Sequence, residues 1–317
     1  MTKTQLRYLA TRYLAPLTGL VLLAISIAVV RHQLQDYEVH DVVDSLRSLP
    51  REQVIWAIAF TALGYLAMTG YDTLGFLHLR QRLGYGKIAL TTFISCAFSN
   101  TIGFALLTGS AIRYRFYSGW GISAIAIAQI IAFSNLSFWL GLLAVGGLSF
   151  LAVPFQIPAQ LRLPVHSTFG LGLIFTALIL LYLMGSATLR GTLTFRKQPL
   201  QLPSLTIALG QIVVSSLDWS LAAATLYCLL PSTAGLTYLA FLKIYLLAMA
   251  AGVLSNVPGG LGVFETVVIL LLSTQLSPAA VLASLLAYRG VYYFLPLITA
   301  IAFWGLHEMR QPFKPCG

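Results

Sequence analysis

The stretch Leu254-Ser255-Asn256-Val257-Pro258-Gly259-Gly260-Leu261-Gly262-Val263-Phe264-Glu265 decides the fold. A proline and three glycines interrupt a long apolar run, and a carboxylate stands just beyond the interruption. No charged residue lies between Lys243 and Glu265, or between Glu265 and Arg289, so Glu265 falls where a bilayer would be. A carboxylate at that depth costs about 2.5–3.5 kcal/mol on insertion scales unless it is paired, protonated or hydrated. Irregular backbone at the same depth must be buried in protein or line a cavity. Together these features predict a polar site inside a membrane, the signature of transport.

Composition extends the reading to the whole chain. Apolar residues make up 58% of the 317 and charged residues only 9%, whereas an ordinary soluble domain carries roughly 25% charge. Successive apolar runs long enough to span predict an all-α polytopic membrane helix bundle. Continuous spans fall near 13–30, 53–77, 120–153, 167–189, 203–230 and 279–306. Two further stretches, 88–117 and 238–275, are apolar but interrupted in the middle, giving about eight apolar elements. No intervening segment exceeds about 22 residues, so 1–317 reads as a single integral membrane domain without a soluble domain. Residues 1–30 imitate a signal peptide, with Lys3, Arg7 and Arg12 before an apolar run and Ser26-Ile27-Ala28 after it. The run is long enough to span, which favours an uncleaved first helix.

The net charge of +10 could indicate nucleic acid, but its distribution argues against that. Eleven of the 19 Lys/Arg lie at the N-terminus, in 78–87, in 190–197 and in the C-terminal tail. These regions share one side if 88–117 and 238–275 each enter and leave on the same face. The other side receives 31–52, with five of the nine acids, and the 154–166 loop. This positive-inside pattern predicts a multi-pass protein of the bacterial inner membrane with both termini cytoplasmic. The expected partners are membrane phospholipids with anionic headgroups rather than nucleic acid. Cys96, Cys228 and Cys316 show neither pairing nor metal-ligand spacing, so no metal is expected.

The two interrupted stretches resemble each other. Ser99-Asn100-Thr101-Ile102-Gly103 breaks the first, and Ser255-Asn256-Val257-Pro258-Gly259-Gly260 breaks the second. In the first, the arm 88–98 has 11 residues, about 16 Å of helix or half a bilayer, which predicts a re-entrant hairpin. Charge parity brings the second hairpin in from the opposite face. Paired broken helices in halves of opposite orientation point to a midplane transporter site, and the repeat halves would be about 53–153 and 203–306. Unwound backbone around Asn100, Asn256, Pro258, Gly259 and Gly260 would present free N–H groups suited to an anionic group such as a lipid phosphate.

The intramembrane charges form a short list. Outside 31–52 and Glu308, the acids are Asp72, Asp218 and Glu265, all in apolar segments. The bases at depth are Arg113, Arg115, Lys243 and Arg289. Tyr288, Tyr292 and Tyr293 surround Arg289, with Tyr292 one turn along and able to share its face. Arginine suits bidentate phosphate recognition and stacks on aromatic rings. Against this stands a structural alternative, in which such acid–base pairs lock helices together or Asp72 and Arg115 snorkel to the interface. The histidines at 32, 40, 78, 166 and 307 fall mostly in loops, which argues against a histidine proton relay.

Several motifs then carry a family resemblance. They are Gly70-Tyr71-Asp72, Ser99-Asn100-Thr101-Ile102-Gly103-Phe104 leading into Ile112-Arg113-Tyr114-Arg115-Phe116-Tyr117, Ser215-Ser216-Leu217-Asp218-Trp219, Val257-Pro258-Gly259-Gly260-Leu261-Gly262-Val263-Phe264-Glu265, and Ala287-Tyr288-Arg289-Gly290-Val291-Tyr292-Tyr293-Phe294-Leu295-Pro296. In this order and spacing, over roughly 50–300, the chain resembles the transmembrane domain of the lysylphosphatidylglycerol synthase/flippase family, the multiple peptide resistance factor-like membrane domain. The resemblance implies translocation of aminoacylated phosphatidylglycerol or another lipid-linked headgroup, with Asp72, Arg113, Asp218, Glu265 and Arg289 lining the lipid path. It also implies a stand-alone member without the synthase domain, so that synthase activity and tRNA binding are not expected. A separate lipid-modifying enzyme would supply the substrate, and a homo-oligomer is compatible.

Flippase-like lipid translocation is therefore the leading expectation, with no enzyme activity, no catalytic residues and no cofactor. No Gly-x-x-x-x-Gly-Lys-Ser/Thr run is present, which leaves downhill scrambling or ion coupling through Glu265 or Asp218. The alternatives are a membrane-embedded lipid-modifying enzyme or its accessory subunit, and a secondary transporter of a small anion.

Overall fold

The computed structural model describes residues 39–102, 105–152, 167–188, 192–195, 198–231, 235–254 and 262–310. The predicted first span at 13–30 and the loop 154–166 lie outside them. Within them the chain is a helical bundle with one two-stranded ribbon. Five elements are long and apolar enough to cross a membrane: α2 (Arg51–His78), α5 (Ala124–Ala152), α6 (Thr168–Thr188), α7 (Leu205–Leu229) and the run Pro278–Met309. They coincide with five of the predicted continuous spans, and this is a multi-pass membrane protein. A short amphipathic helix, α1 (Val39–Arg47), precedes them. It packs Val42 and Leu46 against Leu282, Ala283 and Leu286.

Local chemistry sets the helix boundaries. Pro50 precedes α2 in extended conformation. Ser204 caps α7 by accepting from the Ile207 N–H. Ser277 caps α10 (Pro278–Tyr288) by accepting from the Ala280 N–H, with Pro278 just inside. A serine cap followed by proline satisfies one orphan donor and removes another. Between α6 and α7 lie β1 (Thr192–Phe195) and β2 (Gln198–Gln201), paired antiparallel with Thr192 opposite Gln201. The sequence reading contained no strand here.

The interrupted stretches are helical pairs. α3 (Tyr85–Ile102) packs on α4 (Ala105–Gly119), and α8 (Tyr238–Leu254) packs on α9 (Val263–Leu272). The first arm is longer than expected: α3 has 18 residues, about 27 Å rather than half a bilayer. The helix runs on through Ser99-Asn100-Thr101 and ends at Ile102. The Thr101 hydroxyl donates to the Ala97 carbonyl at 2.9 Å, and the Asn100 amide donates to Tyr65 Oη at 3.4 Å. The chain turns only after Ile102. The second break, with Asn256, Pro258, Gly259 and Gly260, lies outside the described residues.

The element order repeats: α2, a hairpin and α5, then, after α6, α7, a hairpin and the run that α10 opens. α2 and α7, the first helix of each set, share the bundle's most extensive packing. Glycines permit the close approaches. A Cβ on Gly70 would lie 2.9 Å from the Val214 side chain, and one on Gly141 would lie 2.6 Å from the Ser215 Cβ. α6 sits at the edge. It meets α5 along Gly146 and Gly147, while Leu173, Ile174, Leu181 and Met184 stay exposed.

α10 continues through a π-helical turn (Arg289–Phe294) into α11 (Leu295–Arg310). Leu295 N–H reaches back five residues to the Gly290 carbonyl. The cause is Pro296, which has no N–H to give the carbonyl four residues back, that of Tyr292. That carbonyl accepts from Tyr65 Oη at 3.3 Å, and the Tyr293 carbonyl accepts from the Thr101 hydroxyl at 3.4 Å. The first hairpin thus holds the π turn.

Candidate functional site

Asp72 is the best-satisfied charge in the bundle. It is fully buried on α2. Arg113 Nε on α4 donates to its Oδ1 at 3.1 Å and Oδ2 at 2.8 Å. Tyr117 Oη donates to Oδ2 at 2.7 Å and Ser134 Oγ to Oδ1 at 2.6 Å. Tyr117 follows Arg113 by four residues, so both point from one face of α4. The knot joins α2, α4 and α5, and it corrects the snorkelling alternative for Asp72. Arg115 does reach the surface, where it pairs with Glu308 at 2.6 Å.

Glu265 and Arg289 form the second knot. Arg289 Nε donates to Glu265 Oε1 at 2.8 Å, Nη2 contacts the same oxygen, and both residues are buried. Glu265 Oε2 accepts the Gly262 N–H at 2.8 Å and so caps its own helix, α9. Gly262 has φ 85°, the left-handed region that glycine enters without strain. The Arg289 guanidinium lies 5.1 Å from the centre of the Tyr293 ring. Tyr292, expected to share its face, instead stacks on Tyr288 with ring centres 5.1 Å apart. Tyr293, four residues past Arg289, shares its face.

Tyrosines fill the space between. Tyr245 and Tyr288 hydroxyls are 2.9 Å apart, and Tyr65 packs against Tyr292 at 5.9 Å between ring centres. Asp218, on α7, accepts a hydrogen bond from Tyr71 Oη to Oδ2 at 2.6 Å. Asn100 reaches the same group through Tyr65.

Of the expected site residues, Glu265 and Arg289 touch each other, as do Asp72 and Arg113. Tyr288 and Tyr292 pack together, and Asn100 and Asp218 border the tyrosines. Asp218 is bonded to Tyr71, and Glu265 to Arg289, with buried tyrosines packed around them. An open cavity of about 470 Å³ lies instead at the corner of α2 and α3, lined by Thr73, Gln81, Arg82 and Tyr85. Sequence reasoning missed Tyr71, Tyr117 and Ser134. The two tyrosines sat inside quoted motifs, one beside Asp72 and one a helical turn past Arg113, whereas Ser134 carried no local signal. His78 and His307 lie in helices and pack on Phe133 and Phe116 rather than in loops. Among the described residues no three His, Cys, Asp or Glu side chains gather to hold a metal.

Comparison with known proteins adds a second line. The family description "Lysylphosphatidylglycerol synthase TM region" matches residues 17–300. The chain is 44% identical over 295 residues to the uncharacterized protein slr0712 of Synechocystis sp., covering 92% of this chain and 91% of that one. It is 31% identical over 268 residues to the inner membrane protein YbhN of Escherichia coli, covering 84% and 83% respectively. It is 28% identical over 237 residues to the phosphatidylglycerol lysyltransferase of Staphylococcus aureus, covering 73% of this chain but 26% of that protein.

Proposed function

This chain belongs to the lysylphosphatidylglycerol synthase transmembrane family, and from that premise we propose that it moves a phospholipid, phosphatidylglycerol or its aminoacylated form, between the leaflets of the bacterial inner membrane. The observation that carries the reading is the buried pair of Glu265, at the start of α9, and Arg289, in the π turn. Arginine has five N–H donors in a planar fork, and Glu265 engages two of them. A lipid phosphate passing the hairpin end meets the remaining fork in a water-poor setting, where charge-assisted hydrogen bonds are strong. The acyl chains remain in the bilayer. Both termini are cytoplasmic in this reading, a separate enzyme supplies any aminoacylated lipid, and this chain itself performs no lipid synthesis.

The test is reconstitution into liposomes carrying labelled phosphatidylglycerol, lysyl-phosphatidylglycerol or phosphatidylcholine in one leaflet. The protein should accelerate movement of at least one anionic or aminoacylated lipid. Arg289→Lys, which keeps charge but loses the fork, should slow it at least tenfold. Protein-free rates for every lipid would refute the reading.

A further inference from the structure

Of the three buried acids, Asp218 is the one without a cation. Asp72 has Arg113, and Glu265 has Arg289, while no ion pair among the described residues includes Asp218. It is 4% exposed. Its Oδ2 accepts from Tyr71, and its Oδ1 is buried without a hydrogen-bond partner among the described residues. A buried carboxylate in that condition is strongly disfavoured unless a positive charge joins it.

The surroundings narrow what that charge is. From α2, Tyr71 holds Asp218, and Asp72 next to Tyr71 is held by Arg113. α5 contributes no titratable residue at all. α6 offers Tyr182, bonded to Gln211. α8 offers Tyr238, bonded to the Ser220 carbonyl, together with Lys243, and Tyr245, bonded to Tyr288 of α10. Tyr292 of the π turn packs on Tyr65, and Cys96 of α3 lies beside Arg113. A sodium ion needs a cage of several oxygens, and Tyr71 Oη is the one within hydrogen-bond range among the described residues. A proton needs a single lone pair, and Oδ1 has one to give.

We infer that Asp218 is a proton-binding site, taking H⁺ on Oδ1 while Tyr71 holds Oδ2, and that it couples the lipid movement proposed above to a proton gradient. Binding forms one O–H bond and turns the carboxylate into a neutral acid. Release returns the proton to water and leaves the carboxylate on Tyr71, with no change of oxidation state. Tyr71 precedes Asp72 in α2, so the charge state of Asp218 acts on the helix that carries the first knot. The use of the proton rests on the lipid-translocation reading; its binding does not.

The experiment is infrared difference spectroscopy of the purified, reconstituted full chain between acid and alkaline buffer, paired with lipid movement under an imposed pH gradient. The wild type should show a protonated-carboxyl band from the protein interior that titrates with pH. Asp218→Asn should lose that band entirely. Asp218→Glu should keep it at a displaced frequency, and Asp72→Asn should keep it unchanged. The gradient should speed lipid movement in the wild type, and Asp218→Asn should lose that response. A band that survives in Asp218→Asn, or is absent from the wild type, overturns the proposal. A band assigned to Asp218 in a protein that moves no lipid leaves the proton site standing and removes its transport role. A response to a sodium gradient in place of a pH gradient overturns the proton assignment.

Discussion

Arg113 reaches across 41 positions of sequence to place one Nε–H between both oxygens of Asp72, at 3.1 and 2.8 Å. Removing one partner strands a buried charge, which costs about 3–5 kcal/mol, whereas replacing both with apolar residues of similar volume is often neutral. Arg113→Met and Asp72→Leu should each lower the unfolding midpoint in detergent sharply, and the double variant should recover much of the loss. Equal destabilisation in the single and double variants would show that the pair is not coupled.

Gly141 lets α5 touch α7. A Cβ there would lie 2.6 Å from the Ser215 Cβ and 2.7 Å from the Ser215 carbonyl oxygen. Gly141→Ala should cost about 1–3 kcal/mol, the usual range for overpacking. Gly170→Ala on α6 meets nothing within 4 Å and should be neutral or slightly stabilising, because alanine favours helix more than glycine does. Thermal unfolding of the two variants side by side decides it.

At Gly262 the backbone itself is the constraint, with φ 85°. Gly262→Ala should cost about 1–2 kcal/mol for the left-handed conformation and re-aim the N–H that holds Glu265 Oε2. Glu265→Gln keeps shape but turns an amide or a neutral oxygen towards Arg289. Both variants should insert normally and move lipid more slowly than the wild type. Wild-type rates in both would make the second knot purely structural.

Topology follows from the crossing of α2. Cysteine introduced at Asp44 should react with a membrane-impermeant reagent from the periplasmic side. Cysteine at Arg82 should react only after the membrane is opened. Labelling of both positions from the same side would contradict the arrangement.

Purified protein supplied with charged tRNA and phosphatidylglycerol should form no aminoacylated lipid. Product detected by mass spectrometry would move the chain into the enzyme class.

The spans were legible because twenty-odd apolar residues bounded by charge leave few alternatives. α2, α5, α6 and α7 fall within a few residues of where the sequence put them. The identities of the buried charges were legible for the same reason, since ionisable groups are rare at that depth. Their partners were not. Arg113 with Asp72, Arg289 with Glu265, and Tyr71 with Asp218 are separated by 41, 24 and 147 positions, and spacing says nothing about which faces meet. The end of the first hairpin arm was harder to place: the helix passes Ser99-Asn100-Thr101 and ends at Ile102, with the Thr101 hydroxyl bonded back to the Ala97 carbonyl and the Asn100 amide bonded out to Tyr65.

The pairing of the buried charges also fixes how a membrane voltage can act on this protein. Moving one elementary charge through the full potential is worth about 2.3 kcal/mol per 100 mV. Asp72 with Arg113 and Glu265 with Arg289 are each neutral as units, so helices that shift with their pair intact carry no net charge through the field. The long helix α5, with no ionisable side chain, is equally indifferent. A proton arriving at Asp218 is not. Its travel crosses the field in proportion to the depth of that residue, so proton entry to Asp218 responds to voltage, whereas rearrangements of the two intact knots alone do not.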